Sequence, residues 1–328
     1  MSHRARIAAA AVAACTAAPL LVSNEGILYY FSLVLIWSIF ALGFDLAFGT
    51  AGLLSLGHAA FFGAGAFVHS ILMMRAGWPF GGALAAGALA GGLLALLFGV
   101  LTIRVSGVFF TLTTQALAEM VYILAATRLH RWTGGVEGLI GVPRPTLAGI
   151  DFLQPRAYYA LLAVLFLAAL GAAALLRASP FGQALRGIRQ NGTRAAQLGL
   201  NVTRFKVAAL TVSGVYSAFA GALLASLMSF VSPQLMQWTV SGDLLIMTLL
   251  GGAGTLLGPV LGVAVIEFLR EELSAVTQHW YGALGLIFVL CTIFLPNGIA
   301  GAFAPRRLHA KQRPARSPRR DCTPTTGA

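Results

Sequence analysis

Four carboxylates lie within or near long apolar segments of this chain. They are Asp45, Glu119, Asp243 and Glu267. A charged side chain inside a bilayer is costly, and it normally faces a bundle interior or a water-filled cavity where it marks a substrate or ion pathway. Three of the four lie near the ends of their segments, whereas Glu119 lies well inside one. Glu119 therefore has either a pathway role or a role in helix packing.

The chain lacks the motifs that carry out catalysis. A nucleotide-binding Walker loop needs a lysine directly after a glycine, and neither Lys206 nor Lys311 follows one. No nucleophile elbow and no HExxH motif occurs. The three cysteines, Cys15, Cys291 and Cys322, are far apart and form no CxxC pair. We therefore expect no catalytic residue, no cofactor and no metal site.

The stretch RASPFGQALRGIRQNGTRAAQLGLNVTRFK, residues 177–206, carries six Lys or Arg residues and no acidic residue. Ser179 is suited to cap a helix that begins at Pro180. Gly192 is then expected to end that helix and Thr193 to cap a second one. One apolar stripe recurs at helical spacing on the first helix: Phe181, Ala184, Leu185 and Ile188. A stripe on a basic helix favours either contact with anionic lipid headgroups or docking into a groove of a partner protein.

The composition predicts a membrane protein. Of the 328 residues, 58% are hydrophobic and 10% are charged, against about 25% charged in a soluble domain. The bilayer is thus the expected solvent. The net charge of +12 comes from Lys and Arg in the gaps between apolar segments, where membrane topology explains it. Nucleic acid is therefore not an expected partner.

Apolar runs of about 20 residues predict the membrane spans. We expect eight, at 7–22, 27–48, 51–74, 81–103, 105–127, 157–177, 207–229 and 278–296. A further apolar region, 243–269, is interrupted by the run GGAG at 251–254. This region is either a re-entrant pair of half-helices or two short tilted helices. The predicted fold class is an all-α polytopic transmembrane bundle.

The distribution of Lys and Arg predicts the orientation of the chain. The densest clusters, 178–206 and 306–320, should be cytoplasmic, which requires an even number of crossings between them. Both termini are then cytoplasmic and the loop 128–156 is external. The first segment is either a retained helix, which we favour, or a signal peptide. The expected division is a helix and loop at 1–26, a transmembrane domain at 27–302 and a disordered basic tail at 303–328.

Several blocks of the sequence together resemble one known family. They are GTAGLLSLGHAAFFGAGAF (49–67), RVSGVFFTLTTQALAEM (104–120) with TGGVEGL (133–139), the stretch from SPFGQALRGIRQNG to SAFAGAL (179–223), LLGGAGTLLGPVLG (249–262) and LPNGIAG (295–301). In this order they resemble the M-type permease subunits of branched-chain amino acid ABC importers. The resemblance covers residues from about 27 to 302 and leaves out the first segment and the tail.

The resemblance implies a docking role for the basic loop. The stripe would enter a cleft on an ATPase, with Arg186 and Arg189 meeting acidic groups on its rim, and a side chain at Gly182 would hold the helix off the cleft. The candidate coupling residues are Ser179, Pro180, Phe181, Gly182, Ala184, Leu185, Arg186, Ile188, Arg189, Ala195, Ala196 and Gly199. The candidate residues of the translocation pathway are Asp45, Ser55, His58 and Glu119.

Two positions depart from the family pattern. The coupling block of the family usually reads IRENE, whereas this chain reads IRQNG at 188–192 and so lacks both carboxylates. Asp45 stands where the family often has Asn, a change that alters either substrate preference or only local helix packing. The loop is purely basic as a result of the first departure.

The resemblance implies a set of partners in a bacterial cytoplasmic (inner) membrane. They are a second, H-type permease subunit, two ABC ATPase subunits, an external solute-binding protein and the lipid bilayer. Substrates of the wider family include leucine, isoleucine and valine, and also urea, short amides and aromatic acids. The alternatives are a self-sufficient secondary transporter or channel, for which the glycine-interrupted segments 51–67 and 249–262 offer a matched pair, and a membrane enzyme or scaffold, which no motif supports.

Overall fold

The computed structural model describes residues 24–276 except 145, 148–149 and 153, together with residues 16, 19, 282, 285, 289 and 298–303. The predicted spans 7–22 and 278–296 lie almost wholly outside the described residues, and the tail from residue 304 lies entirely outside them. The predicted orientation of the termini therefore stays a prediction.

Long helices make up most of the described chain. They are α1 (Glu25–Asp45), α2 (His58–Ala76), α3 (Phe80–Thr102), α4 (Val108–Thr127), α6 (Pro155–Ala178) and α9 (Val202–Met228). Shorter helices are α5 (His130–Thr133), α7 (Pro180–Gln190), α8 (Gly192–Gln197), α10 (Trp238–Gly251) and α12 (Gly298–Phe303), whereas α11 (Gly258–Val276) has 19 residues, as many as α2. A π-helical turn, Leu46–Thr50, extends α1. The all-α prediction is confirmed.

Six of the described helices are long and apolar enough to cross a membrane. These are α1 with its π-helical turn, α2, α3, α4, α6 and α9. They correspond to six of the eight predicted spans. Two begin later than predicted: α2 begins at His58 rather than 51, and α4 begins at Val108 because Gly107 before it has a left-handed φ of 64°.

The predicted interruption of the 243–269 region is confirmed. α10 ends at Gly251 and α11 begins at Gly258, and the linker 252–257 separates them. Gly252 and Gly254 in the linker have φ values of 112° and 84°, which side chains of other residues rarely adopt. α10 has 14 residues and is about 21 Å long, short of the ~30 Å hydrocarbon layer.

Four two-residue strands organise the connections on one side of the bundle. β1 (Leu139–Ile140) pairs antiparallel with β4 (Phe230–Val231), and β2 (Thr146–Leu147) pairs with β3 (Ile150–Asp151). The first ladder joins the loop after α4 to the segment after α9. It therefore fixes the 128–156 loop to the end of α9.

α9 packs against α1, α2 and α3, while α6, α10 and α11 pack on α1. Glycines allow the close approach of α9 to α2. A Cβ on Gly221 would meet the backbone carbonyl of Phe62, and a Cβ on Gly65 would meet that of Ala218. In lipid, helix association depends on such small-residue contacts because apolar burial alone gives little advantage. Small residues thus set the spacing of the helices.

We expect Gly221→Val to destabilise the protein, by about 1–3 kcal/mol or more, since the added side chain collides with backbone that cannot rotate away. Gly171→Val on α6 is the matched control, because nothing lies within 4 Å of a Cβ there. The measurement is thermal unfolding of the purified protein in detergent. Equal melting temperatures for the two variants would contradict this account of the packing.

Candidate functional site

The basic stretch folds as two short helices, α7 and α8, as predicted. Ser179 caps α7, where its Oγ accepts a hydrogen bond from the backbone N–H of Gly182 at 3.3 Å, and Pro180 is the first helical residue. The predicted start of α8 is wrong. Asn191 is its cap and accepts from the Arg194 N–H at 2.9 Å, while Gly192 is already helical. An Asn side chain reaches the free N–H groups of a first turn as well as Thr does.

The apolar stripe of α7 packs inside the chain, which corrects its predicted role. Leu185 and Ile188 are buried, at 0% and 3% exposed. Leu185 belongs to an apolar cluster with Leu53, Phe110 and Leu210, and Phe181 stacks on Phe205 with ring centroids 5.7 Å apart. The stripe therefore holds α7 on the bundle and is not free to enter a partner.

The role predicted for Gly182 is corrected in the same way. A Cβ at this position would meet the backbone carbonyls of Leu176 and Arg177. The obstruction lies within the chain, at the point where α7 turns off the end of α6. Gly182 thus permits the sharp turn between the two helices.

The outward surface of α7 and α8 is polar and basic and includes one exposed leucine. Of the predicted coupling residues, Pro180, Arg186, Arg189, Ala196 and Gly199 are exposed, Ser179 and Ala184 are half-buried and Ala195 is buried. The same surface includes four residues outside the predicted coupling set: Gln183, Gln190, Arg194 and Leu198. The Leu198 side chain is 78% exposed. Only this outward surface is available to a partner.

A buried ion pair links the ends of α1 and α6. The Arg177 guanidinium contacts the Asp45 carboxylate, and the two side chains are 10% and 0% exposed. The other Asp45 oxygen accepts a hydrogen bond from the Gly254 backbone N–H at 2.7 Å. Asp45 therefore holds α6 and the 252–257 linker against α1, and the structure favours the packing explanation for its departure from the family pattern.

Arg189 extends this network to α7. Its guanidinium donates a hydrogen bond to the carbonyl of Gly49 in the π-helical turn. A Cβ on Gly254 would lie 3.3 Å from the Arg189 side chain, so the three segments converge here. Arg189 thus contacts its own chain as well as being exposed. We define the tie network as Asp45, Arg177, Arg189, Gly49 and Gly254.

Ser55 and His58 lie close to this network but are fully buried. His58 Nε2 is 2.7 Å from Ser213 Oγ, and His58 Nδ1 is 3.0 Å from the Ser55 carbonyl. Ser213 Oγ in turn donates to the Gly43 carbonyl at 2.6 Å. These contacts connect α1, α2 and α9. In this conformation the two side chains stabilise helix contacts, and their pathway role stays a prediction.

Glu119 is separate from the other three pathway candidates. It lies half-buried on α4 and shares no hydrogen bond or ion pair with Asp45, Ser55 or His58. The structure therefore brings three of the four candidates to one region and leaves the fourth elsewhere.

Sequence reasoning missed the partners of the buried groups. Arg177 counted only as one of six cations in the basic stretch, and Ser213 was not singled out. One signal was present for the ion pair: Asp45 and Arg177 are single charges at the ends of apolar segments. No local pattern indicates Ser213, because its contact with His58 spans 155 residues.

The sequence profile of the family described as branched-chain amino acid transport system / permease component matches residues 26–295. The LivM permease protein of a high-affinity branched-chain amino acid transport system in Salmonella typhimurium is 28% identical over 298 residues, which cover 84% of this chain and 70% of that protein. No solved structure matches the chain.

Two further relatives match over shorter stretches. The autoinducer 2 import system permease protein LsrC of an Enterobacter species is 35% identical, over 55% of this chain and 51% of that protein. The L-arabinose ABC transporter permease protein AraH of Azospirillum brasilense is 31% identical, over 37% of this chain and 38% of that protein. All three relatives are permease subunits.

We expect Asp45→Leu or Arg177→Met alone to cost about 3–5 kcal/mol, because each leaves the other charge buried and unpaired. The double variant should recover most of this loss. Thermal unfolding in detergent measures the coupling between the two positions, and Arg186→Met on the exposed surface is the control for loss of an Arg. Additive losses in the double variant would show that the two charges do not stabilise each other.

Proposed function

The chain belongs to the branched-chain amino acid transport system permease family, and from that premise we propose that it is the membrane-spanning subunit of an ATP-driven importer of branched-chain amino acids. The observation that carries the proposal is the match to LivM over 84% of the chain, against 55% and 37% for the relatives that serve autoinducer 2 and arabinose. The chain itself is a multi-pass, non-catalytic membrane subunit.

We place the subunit in a bacterial inner membrane with the partners that such an importer needs. These are a second permease subunit, two ATPase subunits and an external binding protein. Residues 27–302 form the permease domain in this proposal, between the first segment and the basic tail. Both termini and the α7–α8 segment are cytoplasmic, and the loop 128–156 is external.

Docking of the ATPase uses the outward surface of α7 and α8. Leu198 supplies an apolar anchor, and Arg186 and Arg194 supply the charges around it. An exposed apolar residue within a polar rim is the usual composition of a protein contact. The replacement of the family's two carboxylates by Gln190 and Gly192 leaves this surface basic, which suits an acidic partner.

The tie network transmits the movement of the docked ATPase to the transmembrane helices. α7 is joined to the bundle by its buried stripe, to the π-helical turn by Arg189 and to the end of α6 by the turn at Gly182. A displacement of α7 therefore moves the end of α1 and the 252–257 linker with it, because well-packed interiors transmit strain. Closure of the two ATPases then switches the pathway between outward and inward access.

We expect Arg186→Glu with Leu198→Glu to release the ATPase while the permease stays folded, since both side chains are exposed. Val136→Glu is the control, because Val136 is also an exposed apolar residue, at 65% against 78% for Leu198, and lies in the 128–156 loop. Co-purification of the ATPase with the permease is the measurement. Recovery of the ATPase at the normal ratio with the double variant would place the docking contact elsewhere.

We expect the reconstituted importer to accumulate labelled leucine in proteoliposomes when ATP and the loaded binding protein are supplied, and not to accumulate ribose. ATP-dependent uptake of ribose without uptake of leucine would show that the importer carries a sugar rather than a branched-chain amino acid. Uptake by the purified chain alone, driven by an ion gradient, would favour a secondary transporter.

A further inference from the structure

Helix α4 has three different sides. One side is buried against the bundle by Phe110, Thr114 and Ala118. A second side is apolar and exposed, and its residues are Phe109, Leu112, Met120, Ile123 and Leu124. Between them lies an edge formed by Gln115, Glu119 and Tyr122, which follow one another at the i, i+4, i+7 spacing of a helix. We call these three residues the polar edge of α4.

The side chains of the polar edge make no hydrogen bond or ion pair within the part of the chain that the structure describes. Glu119 Oε2 is shielded from solvent and has no partner there. The threonine hydroxyl groups of α4, by contrast, are bonded: Thr111 donates to the Leu54 carbonyl and Thr114 to the Thr111 carbonyl. On α4, the polar side chains without a partner among the described residues are therefore those of the polar edge.

Glu119 differs in this respect from the other three carboxylates of the apolar segments. Asp45 is paired with Arg177, and Asp243 and Glu267 are both paired with Arg270. The described chain therefore supplies a cation to every one of them except Glu119. Because one Glu119 oxygen is shielded and has no counter-charge among the described residues, a cation from outside them would stabilise this carboxylate.

The position of α4 indicates where that group comes from. Of the six described helices that could span a membrane, α4 is the least covered by the rest of the chain. A polar edge on a lipid-facing helix would have no partners at all in hydrocarbon. If the polar edge faces an aqueous path at the boundary of the subunit, water or a polar solute supplies the partners that its side chains lack.

A zwitterionic amino acid fits this edge. Its ammonium group would pair with the Glu119 carboxylate, and its carboxylate would accept hydrogen bonds from the Gln115 amide and the Tyr122 hydroxyl. Its aliphatic side chain would lie against the neighbouring Leu112 and Ile123. A neutral sugar has no cation for Glu119 to bind, so the edge separates amine-bearing substrates from sugars.

We propose that the polar edge of α4 lines the translocation pathway and that Glu119 pairs with the ammonium group of an amino acid in transit. This inference rests on the proposed function and names the substrate chemistry that the pathway accepts.

The test uses the complete importer, with its second permease, ATPases and binding protein, reconstituted in proteoliposomes with the three native cysteines replaced. Glu119→Cys should lower ATP-driven leucine uptake at least about tenfold, the scale for removal of one partner of a charge pair. A negatively charged, water-soluble methanethiosulfonate should react with this cysteine and restore much of the uptake. A positively charged reagent should react without restoring it, and saturating leucine should slow both reactions.

Met120→Cys is the matched control, because the neighbouring side chain lies on the exposed apolar side of α4. It should transport normally and stay unmodified. Glu119→Gln provides a second variant of nearly unchanged shape, and it too should lose leucine uptake while loaded binding protein still stimulates ATP hydrolysis.

Three results would overturn the inference. Glu119→Gln could transport leucine at the normal rate, or Glu119→Cys could be inert to both reagents. Alternatively, Glu119→Gln could lose its second permease on purification, which would assign Glu119 to a cation of that partner. Failure of the unmodified importer to take up leucine would instead contradict the proposed function, so the two failures are distinguishable.

Discussion

The buried contact between Asp45 and Arg177 is the interaction on which the arrangement of this subunit depends. It joins the end of α1 to the end of α6, and the second Asp45 oxygen binds the linker between α10 and α11. Helix α7 begins two residues after α6 ends and is held to the π-helical turn by Arg189. A buried charge without its partner is far more costly than the pair itself. The pair therefore allows one arrangement of these segments and excludes looser ones.

The packing around this contact relies on small residues and on hydroxyl groups. Gly221 and Gly65 bring backbone against backbone, and Ser213 links His58 on α2 to the Gly43 carbonyl on α1. Both kinds of contact suit a lipid environment, because large apolar side chains gain little free energy when they move from the hydrocarbon into a helix interface. The polar edge of α4 differs, because its side chains have no hydrogen-bond or ion-pair partner among the described residues. This lack of partners, on the helix least covered by the rest of the chain, is the basis of its proposed role in the pathway.

Sequence reasoning predicted the elements of the fold well and their side-chain partners poorly. Apolar run length located six described spans, and the GGAG run located the break between α10 and α11. The cap at Ser179 followed from local chemistry alone. Periodicity also showed the stripe at Leu185 and Ile188, but a stripe does not say which surface covers it, and here the chain covers its own stripe. The contacts of Asp45 with Arg177 and of His58 with Ser213 join residues more than 130 positions apart, and no local pattern encodes them.

The separation between Asp45 and Arg177 also affects how the protein is made. The two residues are 132 positions apart, so at about 5–20 residues per second Arg177 leaves the ribosome on the order of ten seconds after Asp45. During that interval α1 carries a carboxylate whose cation has not yet been synthesised. The strand Leu139–Ile140 is likewise synthesised well before its partner strand, Phe230–Val231. Assembly of this subunit in the bilayer therefore cannot be complete before α6, α9 and the 252–257 linker have been synthesised.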